Sequence, residues 1–137
     1  MTAPGKINLN KNELLQEIII PLHQFNIIYH KKVGTRKANS LSKASFIGFA
    51  QINNKAIEDI RIAFGAVSPT VVRDKNIEKI LKGLNGRDLE KNLSKITDMY
   101  ANLIWPIDDQ RSSKKYRKKV CLNLLAYFLS NKISTSL

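Results

Sequence analysis

Apolar residues fall along this chain in two rhythms, and the change between them divides it near residue 75. Before that point they alternate or run together, and β-branched and aromatic residues dominate. Ile18-Ile19-Ile20, closed by Pro21, predicts a buried strand over 13–21. Ile27, Ile28 and Tyr29 predict a second strand over 25–32. Residues 44–52 are nearly continuous apolar, and 57–67 alternate through Ile60, Ile62 and Phe64. The turn Asn53-Asn54-Lys55 between them predicts a hairpin. Gly65 suggests a bulge or a close backbone approach, Pro69 ends the run, and Val71-Val72 offers a short edge strand.

After that point the period becomes 3.6. Ile77, Ile80, Leu81 and Leu84 share one face of a helix over 76–84, with Asp74 as cap and Asn85-Gly86 as stop. Asp88 opens a second helix carrying Leu89, Leu93, Ile96, Tyr100 and Leu103. Val120, Leu124, Tyr127 and Phe128 mark a third, from about 112 to 132. Strands first, then three amphipathic helices whose stripes must bury against one sheet face, predict an α+β domain.

Length and composition narrow the class. The 137 residues support one domain with a modest core. The lone cysteine, Cys121, sits between Val120 and Leu122 and reads as a small buried hydrophobe. No apolar run approaches the roughly 20 residues that span a bilayer, and the first residues lack the apolar stretch of a secretory signal. A cytoplasmic protein without membrane contact is expected. Charge adds a question: 23 basic side chains face 11 acidic ones, with no Asp or Glu between Glu17 and Glu58 and none after Asp109. This suits an acidic partner subunit, an anionic cofactor, nucleic acid or a plain solvated surface, and charge sign does not separate them.

Catalytic patterns are absent. His23 and His30 have no cysteine or carboxylate at zinc spacing, so no metal site is predicted. Asp108 and Asp109 are adjacent and do not face one site as an acid/base pair must. Glycines 65, 83 and 86 form neither a P-loop nor a GxGxxG pattern. No catalytic residue is assigned. Lys114-Lys115 and Arg117-Lys118-Lys119 would suit phosphates. However, Tyr116, Tyr127 and Phe128 are read as core positions and not as a stacking pattern, so a basic nucleic-acid-binding module is the alternative.

The stretch 106–117 carries more. Pro106 discourages helix at Trp105. Asp108, Asp109, Ser112 and Ser113 supply cap oxygens, and Arg111 is close enough to fork onto Asp108 or Asp109. This Asp-Asp-x-Arg-x-Ser run followed by Tyr116-Arg117 resembles the last-helix signature of the C-terminal domain of the FAD-binding subunit of molybdenum hydroxylases, the family of xanthine and carbon monoxide dehydrogenases. Ile60 to Arg73, with Gly65-Ala66-Val67-Ser68-Pro69-Thr70, is similar to that family's strand-turn segment. Lys32-Val33-Gly34-Thr35-Arg36-Lys37-Ala38, running on to Ser42-Lys43-Ala44, resembles its Lys-x-x-x-Arg entry. Ala3-Pro4-Gly5-Lys6 and Glu13-Leu14-Leu15 through Ile20-Pro21 resemble the tail of the preceding flavin-binding domain. The matches stand in family order and span nearly the whole chain.

The resemblance implies a three- or four-stranded antiparallel sheet covered by three helices over 23–137, with 1–22 as tail and linker. In such enzymes electrons pass from a molybdenum cofactor through two [2Fe–2S] clusters to FAD and usually on to NAD. This domain would help enclose the flavin and dock the molybdopterin-binding large subunit and the [2Fe–2S] small subunit, in an enzyme of the xanthine dehydrogenase type. FAD is held mainly by Gly-rich loops of two upstream domains that this sequence does not contain. The chain is therefore expected to be a C-terminal piece, a natural truncation or an expressed fragment, that is inactive alone and does not hold FAD well. The resemblance places Lys32 near the flavin edge, where a cation favours the anionic reduced ring. Arg36 and Lys37 belong to the following loop, as tuners of access and charge or as a solvated basic turn. Asp108, Asp109, Arg111, Ser112, Tyr116 and Arg117 are expected to be structural: a cap, an Arg–Asp pair and Tyr116 packing the helix start. A subunit contact through Arg117 is the second reading. Lys114-Lys115 and Lys118-Lys119 depart from the family pattern, where smaller or acidic residues are common.

Overall fold

The strand rhythm closes into a meander. In a computed structural model that describes residues 5–36 and 38–137, β1 (Ile27–Val33), β2 (Ala44–Asn53) and β3 (Ala56–Gly65) form an antiparallel sheet in the order β1-β2-β3. Asn54 and Lys55 both adopt positive φ, 48° and 59°, the turn geometry whose twist matches the strands it joins. The one irregularity between β2 and β3 lies at Gln51/Ile52. Gly65 instead marks a close approach, since a Cβ there would lie 2.5 Å from Ser45 Oγ. Val72 forms a single bridge to Phe64 through two backbone hydrogen bonds of 2.9 Å.

Helices α1 (Lys75–Leu81), α2 (Gly86–Ala101) and α3 (Lys114–Tyr127) follow. Asp74 caps α1 by accepting from the Asn76 and Ile77 amides. Asn85 caps α2 by accepting from Asp88, so Asn85-Gly86 begins the second helix as well as separating it from the first. Beyond Tyr127 the helix widens into a π-helical turn, Phe128–Ile133, and then a 3₁₀ turn, Ser134–Ser136.

All three helices cover one sheet face. Ala44, Phe46, Ala50, Ile60, Ile62 and Phe64 are buried against Leu81, Ile96, Tyr100, Cys121, Leu125 and Phe128. Aromatic rings thread the layers, with Phe46 5.2 Å from Phe64 and 5.5 Å from Phe128, and Phe64 5.3 Å from Tyr100. Gly48 makes room for this. A Cβ at that position would sit 2.6 Å from the Phe128 ring.

The outer edge of β3 is closed by a series of different groups. Ile57 exchanges backbone hydrogen bonds with Leu84 and Gly83, and Phe64 does so with Val72. Between them the Ile62 amide donates to the carboxylate of Glu78, 2.9 Å away. Glu78, only 3% exposed, is also gripped by the Arg73 guanidinium at 2.8 Å on each oxygen. Among the described residues no strand pairs with the outer edge of β1.

Three expectations fail. On α1, Ile80 is 38% exposed although its period places it with Ile77 and Leu81, because Glu78 takes the buried place. Residues 13–21 form no strand, and Ile18, Ile19 and Ile20 are between 73% and 79% exposed. Their composition suits a strand, but no strand among the described residues pairs with them, and an unpaired extended segment cannot bury itself. On α3 the buried line is Arg117, Cys121, Leu125 and then Phe128, whereas Val120 and Leu124 are half-buried and Tyr127 is exposed. The face is rotated because a basic residue, Arg117, occupies a core position. The π-helical turn then brings Phe128, Leu129 and Ile133 inward together.

Candidate functional site

The register of the sheet decides what lies on its other face, away from the helices. Lys32 stands opposite Ser45, and Ser45 opposite Gly65. The next row is His30, Ile47, Ala63, and the next Ile28, Phe49, Arg61. Phe25 leans over the last row, 5.3 Å from the Phe49 ring and 5.0 Å from the Arg61 guanidinium. This face is partly exposed, and a shallow hollow of about 220 Å³ runs along it beside His30, Ser45, Ile47, Ala63 and Val71. It is an apolar surface with cations at its margins.

Lys32 is exposed at the end of β1, and among the described residues no carboxylate pairs with it. Arg36 is used differently. Its Nη2 donates to the Asn39 carbonyl at 2.5 Å, and its own carbonyl accepts from Ser40 Oγ at 3.0 Å. The guanidinium thus folds its own loop, and no hydrogen bond joins it to Lys32. Lys37, like Ala3 and Pro4, lies outside the described residues.

The signature residues do converge, with Asp109 as the hub. Its Oδ1 accepts from the amides of Arg111 at 2.8 Å and Ser112 at 3.0 Å, and from Arg117 Nη2 at 2.5 Å. The Arg111 amide first, then Arg117, hold this carboxyl below its ordinary value of 3.8. Arg117, 5% exposed, sends Nη1 to the carbonyls of Lys43 at 3.2 Å and Ala66 at 3.3 Å. One side chain therefore ties α3 to the start of β2 and the end of β3. Asp108 Oδ1 accepts the Lys114 amide at 2.6 Å and Ser113 Oγ the Tyr116 amide at 3.2 Å, capping α3.

The expected Arg111–Asp109 pair is present as a surface contact of 3.7 Å, and the short, buried Arg–Asp pair is Asp109 with Arg117. Tyr116 does not pack the helix start. Its ring is exposed, with the Lys43 ammonium 5.6 Å from its centroid. Arg117 stands one turn before Cys121 and two before Leu125 on the buried line, a place that the apolar spacing of Val120 and Leu124 does not show. Burial pushes the Cys121 thiol up to about 12, the opposite of nucleophilic activation. Among the described residues no group of His, Cys, Asp and Glu could hold a metal ion, and no helix is long and apolar enough to cross a membrane.

The family described as CO dehydrogenase flavoprotein C-terminal domain matches residues 29–131. The chain belongs to this family. β2, β3, all but the first two residues of β1, the Arg117 tie and all three helices of this flavoprotein C-terminal domain fall within the matched region. It is 32% identical over 120 residues to the glyceraldehyde dehydrogenase medium chain of Sulfolobus acidocaldarius, covering 86% of this chain and 41% of that one. It is 24% identical to the xanthine dehydrogenase FAD-binding subunit of Escherichia coli O157:H7, covering 98% and 46%. The chain spans less than half the length of these curated relatives. Its fold is shared with a chain of the Cu,Mo-CO dehydrogenase, with a TM-score of 0.65 and 18% identity over 80% of this chain and 36% of that one. Quinoline 2-oxidoreductase from Pseudomonas putida 86 matches with a TM-score of 0.61 and 14% identity, covering 80% and 37%.

Proposed function

We propose that this chain acts as the C-terminal domain of the FAD-binding subunit of a cytoplasmic molybdenum hydroxylase. There it closes one side of the flavin and helps dock the molybdopterin-binding and [2Fe–2S] subunits. The family match over 29–131 carries the reading. Two features of the chain support it. The sheet face opposite the helices is apolar and uncovered, suited to packing on a neighbouring domain. The exposed run Ile18-Ile19-Ile20 has the composition of a strand and lacks a partner here, which fits 1–22 as the tail of a preceding flavin-binding unit.

The residues present fit one margin of a flavin site and not a whole one. Lys32 is a cation at the edge of an apolar face, paired with no carboxylate among the described residues. No Gly-rich loop able to cradle a pyrophosphate occurs in the sequence. FAD, when bound by the intact subunit, supplies the electron-carrying ring. Lys32 supplies positive charge near it, which stabilises a negative ring over a neutral one. Arg36 shapes the loop that follows, and its contribution to the cofactor is through that shape.

We extend the proposal to an enzyme of the xanthine dehydrogenase type that passes electrons on to NAD; the similarity to the Escherichia coli xanthine dehydrogenase subunit over 98% of this chain supports the type. The test is Lys32→Met in the full-length subunit. The flavin potential is expected to fall and NAD reduction to slow. If both are unchanged, Lys32 has no part in the flavin site. A basic nucleic-acid module is the second reading, because Tyr116 and Tyr127 are exposed and not in the core.

A further inference from the structure

Trp105 is 72% exposed, yet it is held in place. Its indole Nε1 donates to the Asn102 carbonyl at 2.8 Å, and its amide donates to Ser68 Oγ at 3.3 Å. Pro106 follows and stiffens the backbone. The polar atom of the ring is therefore satisfied within the chain, and what faces outward is apolar surface. Ile107, 71% exposed, extends it.

A hollow lies on each side of this ridge. One, of about 440 Å³, is lined by Ile104, Trp105, Pro106 and three lysines, Lys114, Lys115 and Lys118. The other, of about 260 Å³, runs between Trp105, Ile107 and Pro69. The Lys118 ammonium stands 5.9 Å from the indole centroid. Asp108 is the carboxylate within reach, 3.7 Å from Lys114, and among the described residues Lys115 and Lys118 pair with none. No Asp or Glu follows Asp109 in the sequence.

A rigid aromatic anchor with an apolar flank and a charged rim is the composition of a protein-binding hot spot. The sign of the rim selects an acidic partner. Nucleic acid fits less well. Stacking would use the ring face that Lys118 approaches, and would leave Ile107 and Pro69 without a role. We infer that the Trp105 ridge is a docking surface for an acidic segment of a partner subunit, an apolar side chain seating beside Trp105 and Ile107 while carboxylates meet Lys115 and Lys118. This rests on the proposed function in taking the partner from the same complex.

Trp105 is the only tryptophan in the chain, so its emission reads the surface directly. The purified protein is titrated separately with the molybdenum and iron–sulfur subunits of its own complex. One of them is expected to shift the emission to the blue. Lys115→Glu with Lys118→Glu should weaken that binding roughly tenfold at low salt, and Trp105→Ala, followed by sedimentation, roughly thirtyfold. Lys75→Glu with Lys79→Glu, on α1, should leave it unchanged. Binding without a blue shift overturns the docking surface and leaves the functional reading standing. Binding of neither subunit overturns both. A shift with a short oligothymidylate, and with neither subunit, overturns the proposal in favour of nucleic acid.

Discussion

Replacing Glu78 by glutamine keeps its shape and removes its charge, at a point where the outer edge of β3 depends on it. In the native protein Oε1 accepts from the Ile62 amide at 2.9 Å and Arg73 Nε at 2.8 Å, while Oε2 accepts from Arg73 Nη2 at 2.8 Å. Glutamine can place its amide oxygen at the first position and keep two bonds, now to a neutral acceptor. Its NH₂ group then faces an Arg73 donor. Charge-assisted hydrogen bonds contribute about 1.5–3 kcal/mol each. Arg73 is partly exposed and recovers water on its far side, which discounts the loss. A net destabilisation of about 2 kcal/mol follows for Glu78→Gln, and about 4 kcal/mol for Glu78→Ala, which also strands the Ile62 amide. The unfolding entropy of a chain this long is about 0.3 kcal/mol per kelvin, so the glutamine variant should melt roughly 7 °C lower. Thermal unfolding by circular dichroism at neutral pH measures this, and hydrogen exchange at Ile62 should accelerate in the alanine variant. A glutamine variant that melts with the native protein would refute the contribution of the Glu78–Arg73 ion pair, and an alanine variant with unchanged exchange at Ile62 would refute Glu78 as the edge acceptor.

Other changes probe other joints. Gly48→Ala pushes a methyl into the Phe128 ring and should cost about 2 kcal/mol, read as a lower urea midpoint; an unchanged midpoint would mean the ring moves aside freely. The Asp109 carboxyl titrates below its ordinary value in the folded state, so its stabilisation is complete above that value and is lost as pH falls through the depressed one. Asp109→Asn should therefore flatten the acid limb of the stability profile below about pH 4, and a limb parallel to the native one would contradict the Arg111 and Arg117 contacts. Buried Cys121 should resist a thiol reagent at pH 8 until urea is added, whereas immediate labelling would show that α3 does not cover it.

Much of this architecture is legible before any coordinates. The hairpin of β2 and β3 follows from two apolar runs joined by an Asn-rich turn, and α1 and α2 follow from period and caps. The remaining differences have separate physical causes. Periodicity follows apolar residues, so it passes over Arg117 and Glu78, to which the fold gives buried partners. Residues 13–21 were read as a strand because composition reports strand preference and not the presence of a neighbour. In the signature, the cap oxygens Asp108, Asp109 and Ser113 were readable locally. The choice of Arg117 over Arg111 was not, because it depends on the Lys43 and Ala66 carbonyls, distant in sequence. Lys32 could be placed at the end of a strand, but only the register with Ser45 and Gly65 shows which face it shares.

The π-helical turn at Phe128–Ile133 has a consequence in time. The β2–β3 hairpin is local and can form soon after residue 65 is made, yet its inner face is closed by Phe128, Leu129 and Ile133, which emerge far later. Contacts of such long sequence separation slow folding. During synthesis the nascent sheet must wait with Phe46 and Phe64 bare, so the interval between residues 65 and 133 is when this chain most needs a chaperone or a partner domain to shelter it.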